Sequence, residues 1–156
     1  MKDLDIVKGW IDRANCEDDP YDKFISAYIA LNFLYEGRDF NRSSEQMKRH
    51  NEREKMSLYM SKCCQELSID PFDATGCVSE YLKSPVIDER LGHDAKKWST
   101  QKGDNGALFN AIYQVRCNLI HGNKLLSDER NQKLVEEGAA VILKVLNALY
   151  PRIENL

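Results

Sequence analysis

The stretch Asn105-Gly-Ala-Leu-Phe-Asn-Ala-Ile-Tyr-Gln-Val-Arg-Cys-Asn-Leu-Ile-His-Gly122 decides the fold. Asp104 precedes it as an N-cap and Gly122 follows it as a C-cap, so the spacing predicts one long helix. On a wheel of about 100° per residue with Arg116 at zero, Leu108, Ile112, Val115 and Leu119 form an apolar stripe at about 260–320°. One side of the stripe turns polar, at Gln114 and Asn118. The other side, at about 0–140°, carries Arg116, Phe109, Ile120, Tyr113, Cys117 and His121. This second, semi-apolar face has a cation at one edge and an imidazole at the other. A helix apolar on two flanks is buried on two flanks. In a chain of 156 residues the second cover is expected to be another copy of the chain. Phe109, Tyr113, Cys117 and Ile120 are therefore the expected homodimer face.

Outward from this helix the pattern stays helical. Leu4, Val7, Trp10-Ile11 and Ala14 recur at helical spacing. Pro20, behind Asp18-Asp19 as caps, opens a helix to Glu36 that is apolar on most sides and so belongs at the centre. Ser43-Ser44 can cap a third helix reaching about Leu67, whose charges over Glu45 to Lys55 read as a solvated face with i,i+4 pairs. A short fourth segment spans Asp73 to Lys83, punctuated by Pro71 and Gly76. Residues 85–103 lack periodicity and read as a long loop. Ser127 or Asp128 caps a last helix that ends near Tyr150-Pro151. Strand alternation is nearly absent. The expectation is an all-α bundle of five to six helices in one domain, residues 1–156, with its core at about 20–150.

Composition narrows the function classes. A net charge of −3 and a pI near 5.7 argue against a protein that coats nucleic acid nonspecifically, but leave room for a small basic site. The apolar runs Phe24 to Tyr35 and Ala139 to Leu149 are too short to span a bilayer. The first residues, Met1-Lys-Asp-Leu-Asp5, do not read as a signal peptide. Five cysteines at irregular spacing argue against a disulfide framework and for a reducing, cytoplasmic setting.

Arg116 and His121 are the candidate catalytic pair. A histidine in the last helical turn is reachable from solvent, and an arginine offers a permanently charged donor fork suited to phosphate. Together they are the minimum for metal-free phosphodiester cleavage. The competing reading is a capping histidine beside an arginine that snorkels over apolar surface. Asn32, polar inside an apolar helix, is either a satisfied buried amide or a support for the His121 site. Lys124, three residues past His121, is a candidate phosphate contact. Lys96-Lys97-Trp98 with Lys102 could grip a single strand. But its loop starts about 27 Å from the motif at ~1.5 Å per residue, and it would have to fold back. Cys117 and His121 have a zinc-compatible spacing, but Cys63-Cys64, Cys77 and His93 supply no second ligand pair, so neither a metal nor another cofactor is expected.

Tyr113-Gln-Val-Arg116-Cys-Asn-Leu-Ile-His121-Gly122 resembles the Arg-x4-His signature of the HEPN superfamily (higher eukaryotes and prokaryotes nucleotide-binding). Phe24-Ile-Ser-Ala-Tyr-Ile-Ala-Leu-Asn32-Phe-Leu-Tyr35 is similar to the aromatic helix with an internal Asn found in several of its branches. The resemblance covers about residues 20–150, and its ten-residue motif is the specific part. It implies a helical bundle that dimerises with two motifs facing one cleft. It also implies a metal-independent endoribonuclease of toxin–antitoxin, phage-defence or RNA-processing systems, with an antitoxin or a nucleotidyltransferase-like protein as partner. Carried onto this chain, His121 is the general acid/base and Arg116 holds the phosphate, with Asn118 as a supporting polar residue. The products would be a 2′,3′-cyclic phosphate and a 5′-hydroxyl, a chemistry closed to DNA. Cys117 departs from the polar residue common after the arginine in active members. That departure keeps a second outcome open: a non-catalytic module binding RNA, nucleotide or a partner protein.

Overall fold

The computed structural model describes residues 2–37, 50–73, 78–90, 95–121 and 128–154. Among these, six helices and one hairpin follow in order: α1 Lys2–Cys16, α2 Pro20–Glu36, α3 Glu52–Leu67, α4 Ser79–Lys83, β1 Val86–Ile87, β2 Lys97–Trp98, α5 Asn105–Ile120 and α6 Glu129–Glu154. The all-α bundle expected from periodicity is what forms. The aspartates expected as N-caps of α2, α5 and α6 do cap them, while Asn51 caps α3 and His121, in place of the expected Gly122, is the C-cap of α5. Asp19 accepts from the N–H groups of Tyr21 (2.9 Å) and Asp22 (3.0 Å), with Pro20 in the first turn of α2. Asp104 accepts from Ala107 N–H at 3.0 Å, and Asp128 from Asn131 N–H at 3.0 Å.

The helices enclose one apolar cluster. α2 contributes Phe24, Ala27, Leu31 and Leu34, α5 contributes Leu108, Ile112 and Val115, and α6 contributes Leu134, Val141, Ile142 and Leu146. α2 packs against α1 and α6, while α3 packs against α5. α2 and α5 are held apart, with Tyr28, Tyr113 and Arg116 filling the space between them. Gly138 lets α6 approach closely. A Cβ there would lie 2.8 Å from the Phe24 ring and 2.8 Å from the Tyr81 hydroxyl.

Several boundaries differ from the sequence reading, among them that of the fourth segment, where α4 begins at Ser79 and Asp73 is not helical. α3 begins at Glu52, capped by Asn51, which accepts from Glu54 N–H at 2.9 Å, so no helix runs through residues 50–51. The Ser43-Ser44 cap lies outside the described residues, as do Gly76, Cys77, His93, Gly122, Lys124 and Ser127. α6 continues through Pro151 to Glu154 because the extra turn buries Ile153 in the core. The span read as a long loop contains β1 and β2, paired antiparallel with Val86 opposite Trp98 and Ile87 opposite Lys97.

Candidate functional site

α5 is enclosed by its own chain almost all round. Its apolar stripe faces the core, and its polar side is covered as well, with Gln114 and Asn118 fully buried. Arg53 of α3 lies across that side. Its guanidinium donates to the Asn110 carbonyl and to Gln114 Oε1, both at 2.7 Å, and stacks on the rings of Trp98 (3.8 Å) and Tyr113 (4.7 Å). Gln114 in turn donates to Asn118 Oδ1 at 3.0 Å, and Asn118 donates to the Ile87 carbonyl at 2.9 Å.

This network corrects two site expectations. Asn118 is closed to any ligand: its amide spans α5 and β1 and pins the hairpin to the helix. Phe109, Tyr113 and Cys117 are buried within the same chain, so they do not form a dimer face. Of the four expected face residues only Ile120 is open, at 59% exposure. The cover that the wheel assigned to a second copy is supplied by α2, α3 and the interior they share with α5.

Arg116 points into that interior. Its guanidinium pairs with Glu52 Oε1 at 3.5 Å and lies over the rings of Tyr28 (5.3 Å) and Tyr113 (5.5 Å). Its Nη1 also approaches Cys117 Sγ at 4.0 Å. Glu52 accepts from Tyr35 hydroxyl at 2.9 Å and from Tyr113 hydroxyl at 3.2 Å, and the Tyr28 and Tyr35 hydroxyls bond at 2.7 Å. Burial, first of all, drives the tyrosine pKa values well above their ordinary range, so all three remain neutral phenols. Burial works against the Arg116 charge, yet Tyr28 and Glu52 more than offset it and the guanidinium stays charged.

Beside Arg116 a cavity of about 160 Å³ opens between α2 and α5. Its walls are Phe24, Ile25, Tyr28, Ile29, Leu119 and Ile120, and Asn32 also lines it. Asn32 Oδ1 and Arg116 Nε are buried there without a hydrogen-bond partner among the described residues. Asn32 therefore shares a cavity with Arg116, and the sequence reading of it as a fully satisfied amide does not hold for its oxygen.

His121 follows α5 as its C-cap, its N–H donating to the Cys117 carbonyl at 3.1 Å, and its ring is exposed. It turns away from Arg116, toward the hairpin. Arg90 Nη1 lies 3.3 Å from His121 Nε2. An arginine has only donors, so a hydrogen bond at this contact requires the facing ring nitrogen to be the acceptor. Arg90 is itself held by Asp88, a largely buried carboxylate that accepts from Nε and Nη2 at 3.1 Å each. Those bonds hold the Asp88 carboxyl below its ordinary range.

The hairpin is placed from three sides. Arg130 of α6 donates to the Ser84 (3.0 Å) and Pro85 (2.9 Å) carbonyls at its base. Asn118 grips β1, and Trp98 of β2 lies beneath Arg53. The basic-aromatic segment thus does fold back along α5, with Lys96 Nζ 4.4 Å from the Trp98 ring centroid. Sequence reasoning missed Glu52, Arg53 and Arg90. The first two read as surface charges because their partners lie on other elements, and only the three charges of Asp88-Glu89-Arg90 marked the third.

Among the described residues no three His, Cys, Asp or Glu side chains come together as a metal site, and no helix is long and apolar enough to cross a membrane. In comparisons with protein-family models, curated proteins and solved structures, none was found to match the chain.

Proposed function

We propose that the chain is a metal-independent endoribonuclease that works as a homodimer, as its likeness to the HEPN signature implies. The observation that supports this best is the contrast between the two motif residues. His121 is exposed at a helix end, where a proton carrier must be. Arg116 is anchored by Glu52 and two aromatic rings at the edge of an open cavity, where a fixed cation must be. The two lie on different sides of α5. A second copy related by a two-fold axis across the Ile25–Ile120 face would bring the residues of both copies to one cleft. His121 then takes the ribose 2′-hydroxyl proton, the 2′-oxygen attacks phosphorus, the bond from phosphorus to the 5′-oxygen breaks, and the protonated imidazole gives its proton to that oxygen. A toxin–antitoxin or phage-defence setting in the cytoplasm, with an antitoxin or nucleotidyltransferase-like partner, fits this activity.

One observation favours the second reading, a non-catalytic module that binds RNA, nucleotide or a partner protein. Arg116 is already neutralised by Glu52, so it is less available to a phosphate. Incubating purified protein with an RNA pool in chelator separates the two. The nuclease reading requires cleavage to 2′,3′-cyclic phosphate ends that drops at least a hundredfold in both His121→Ala and Arg116→Ala, on the scale of a lost acid/base or oxyanion contact. Cleavage that survives both substitutions would sink it. Saturable RNA binding without cleavage selects the module.

A further inference from the structure

We propose that Arg90 is a second phosphate-holding residue, delivered to His121 by the hairpin; this rests on reading His121 as part of a phosphate site. The end of α5 has a difficulty that the motif alone does not solve. The last carbonyls of a helix are partially negative and repel an anion. Arg116, the motif's own cation, is turned into the interior and paired with Glu52. Positive charge at His121 must therefore come from outside the helix, and the hairpin brings it.

The geometry of Arg90 suits the task. Asp88 occupies Nε and Nη2, which fixes the plane of the guanidinium and leaves Nη1 directed at the imidazole. Asp88 is buried and keeps its charge, so the fork is held even though Arg90 is exposed. Arg130, Asn118 and Arg53 fix the hairpin from three helices, a large investment of buried polar groups for so short a pair of strands. A phosphate oxygen that takes Nη1 displaces it from His121 Nε2. The lone pair of Nε2 is then free to accept a proton, while Arg90 remains beside the anion. Anion arrival and release of the base are thus one event.

The experiment uses the full chain with 15N-labelled histidine, three residues in all, with His121→Ala to assign the signal. Imidazole nitrogen spectra are followed while inorganic phosphate is added, against chloride at matched ionic strength. In the wild type the free protein shows the Nδ1-protonated tautomer at His121, and phosphate moves that signal saturably. Arg90→Ala loses the tautomer signature and weakens the phosphate response at least tenfold. Arg90→Lys, which keeps the charge without the fork, and Asp88→Asn, which frees the fork, each weaken it less. The proposal is overturned if phosphate moves His121 equally in wild type and Arg90→Ala, if chloride moves it as much, or if wild-type His121 does not respond. The nuclease reading fails separately, when RNA stays intact while the Arg90-dependent phosphate response persists. Conversely, RNA cleavage that Arg90→Ala leaves unchanged removes this role and spares the nuclease.

Discussion

Glu52 joins three partners from two helices: Arg116 and Tyr113 of α5 and Tyr35 of α2. Removing its carboxylate orphans two phenol donors and a guanidinium that is only 23% exposed, and an unpaired buried group costs more than its bond contributed. Glu52→Ala is expected to cost about 2–3 kcal/mol in denaturant unfolding. Glu52→Gln, which still offers an acceptor oxygen, is expected to cost less. A loss below about 0.5 kcal/mol for the alanine variant would place Glu52 among ordinary surface residues. The same residue shows where sequence reading stops. Glu52 and Arg53 sit in a run of alternating charges, and a run of that kind on one helix pairs with itself. Nothing local marks the two positions whose partners lie on α2 and α5.

At the level of elements, what periodicity and capping can report was legible: α2, α5 and α6 each begin behind an aspartate whose side chain does bond the first turn. The hairpin was not, because strands of two residues are too short to alternate, and it is held by side chains of α3, α5 and α6. Nor did Pro151 end α6, since burial of Ile153 outweighs a missing helical bond. Gly138 gives this level its prediction. Alanine in a helix interior normally gains about 1 kcal/mol over glycine. Here the added methyl meets the buried rings of Phe24 and Tyr81, and the Tyr81 hydroxyl cannot yield without straining its 2.7 Å bond to the Leu134 carbonyl. Gly138→Ala is expected to destabilise by about 1–3 kcal/mol, read as a lower thermal midpoint. A midpoint at or above wild type would mean that the α2–α6 contact is loose.

For the molecule as a whole, the wheel was right that α5 is buried on both flanks and wrong about what buries one of them. What remains uncovered is a smaller patch around Ile120 and Ile25, the latter 43% exposed, at the mouth of the cavity beside Arg116. If two copies meet, they meet there. Wild-type protein is expected to run as a dimer in light scattering, and Ile25→Asp or Ile120→Asp as a monomer with an unchanged helical spectrum. Dimers that persist in both variants would move the interface elsewhere. The last turns of α5 have a consequence that reaches beyond contact distance. Arg53, Arg90 and Arg116 converge there against two carboxylates, Glu52 and Asp88, on a chain whose net charge is −3. These five groups leave one positive charge there, a local attraction for a polyanion on a chain that is negative overall. Such a ligand is steered to these turns, and its encounter rate falls as ionic strength rises and the Debye length shrinks.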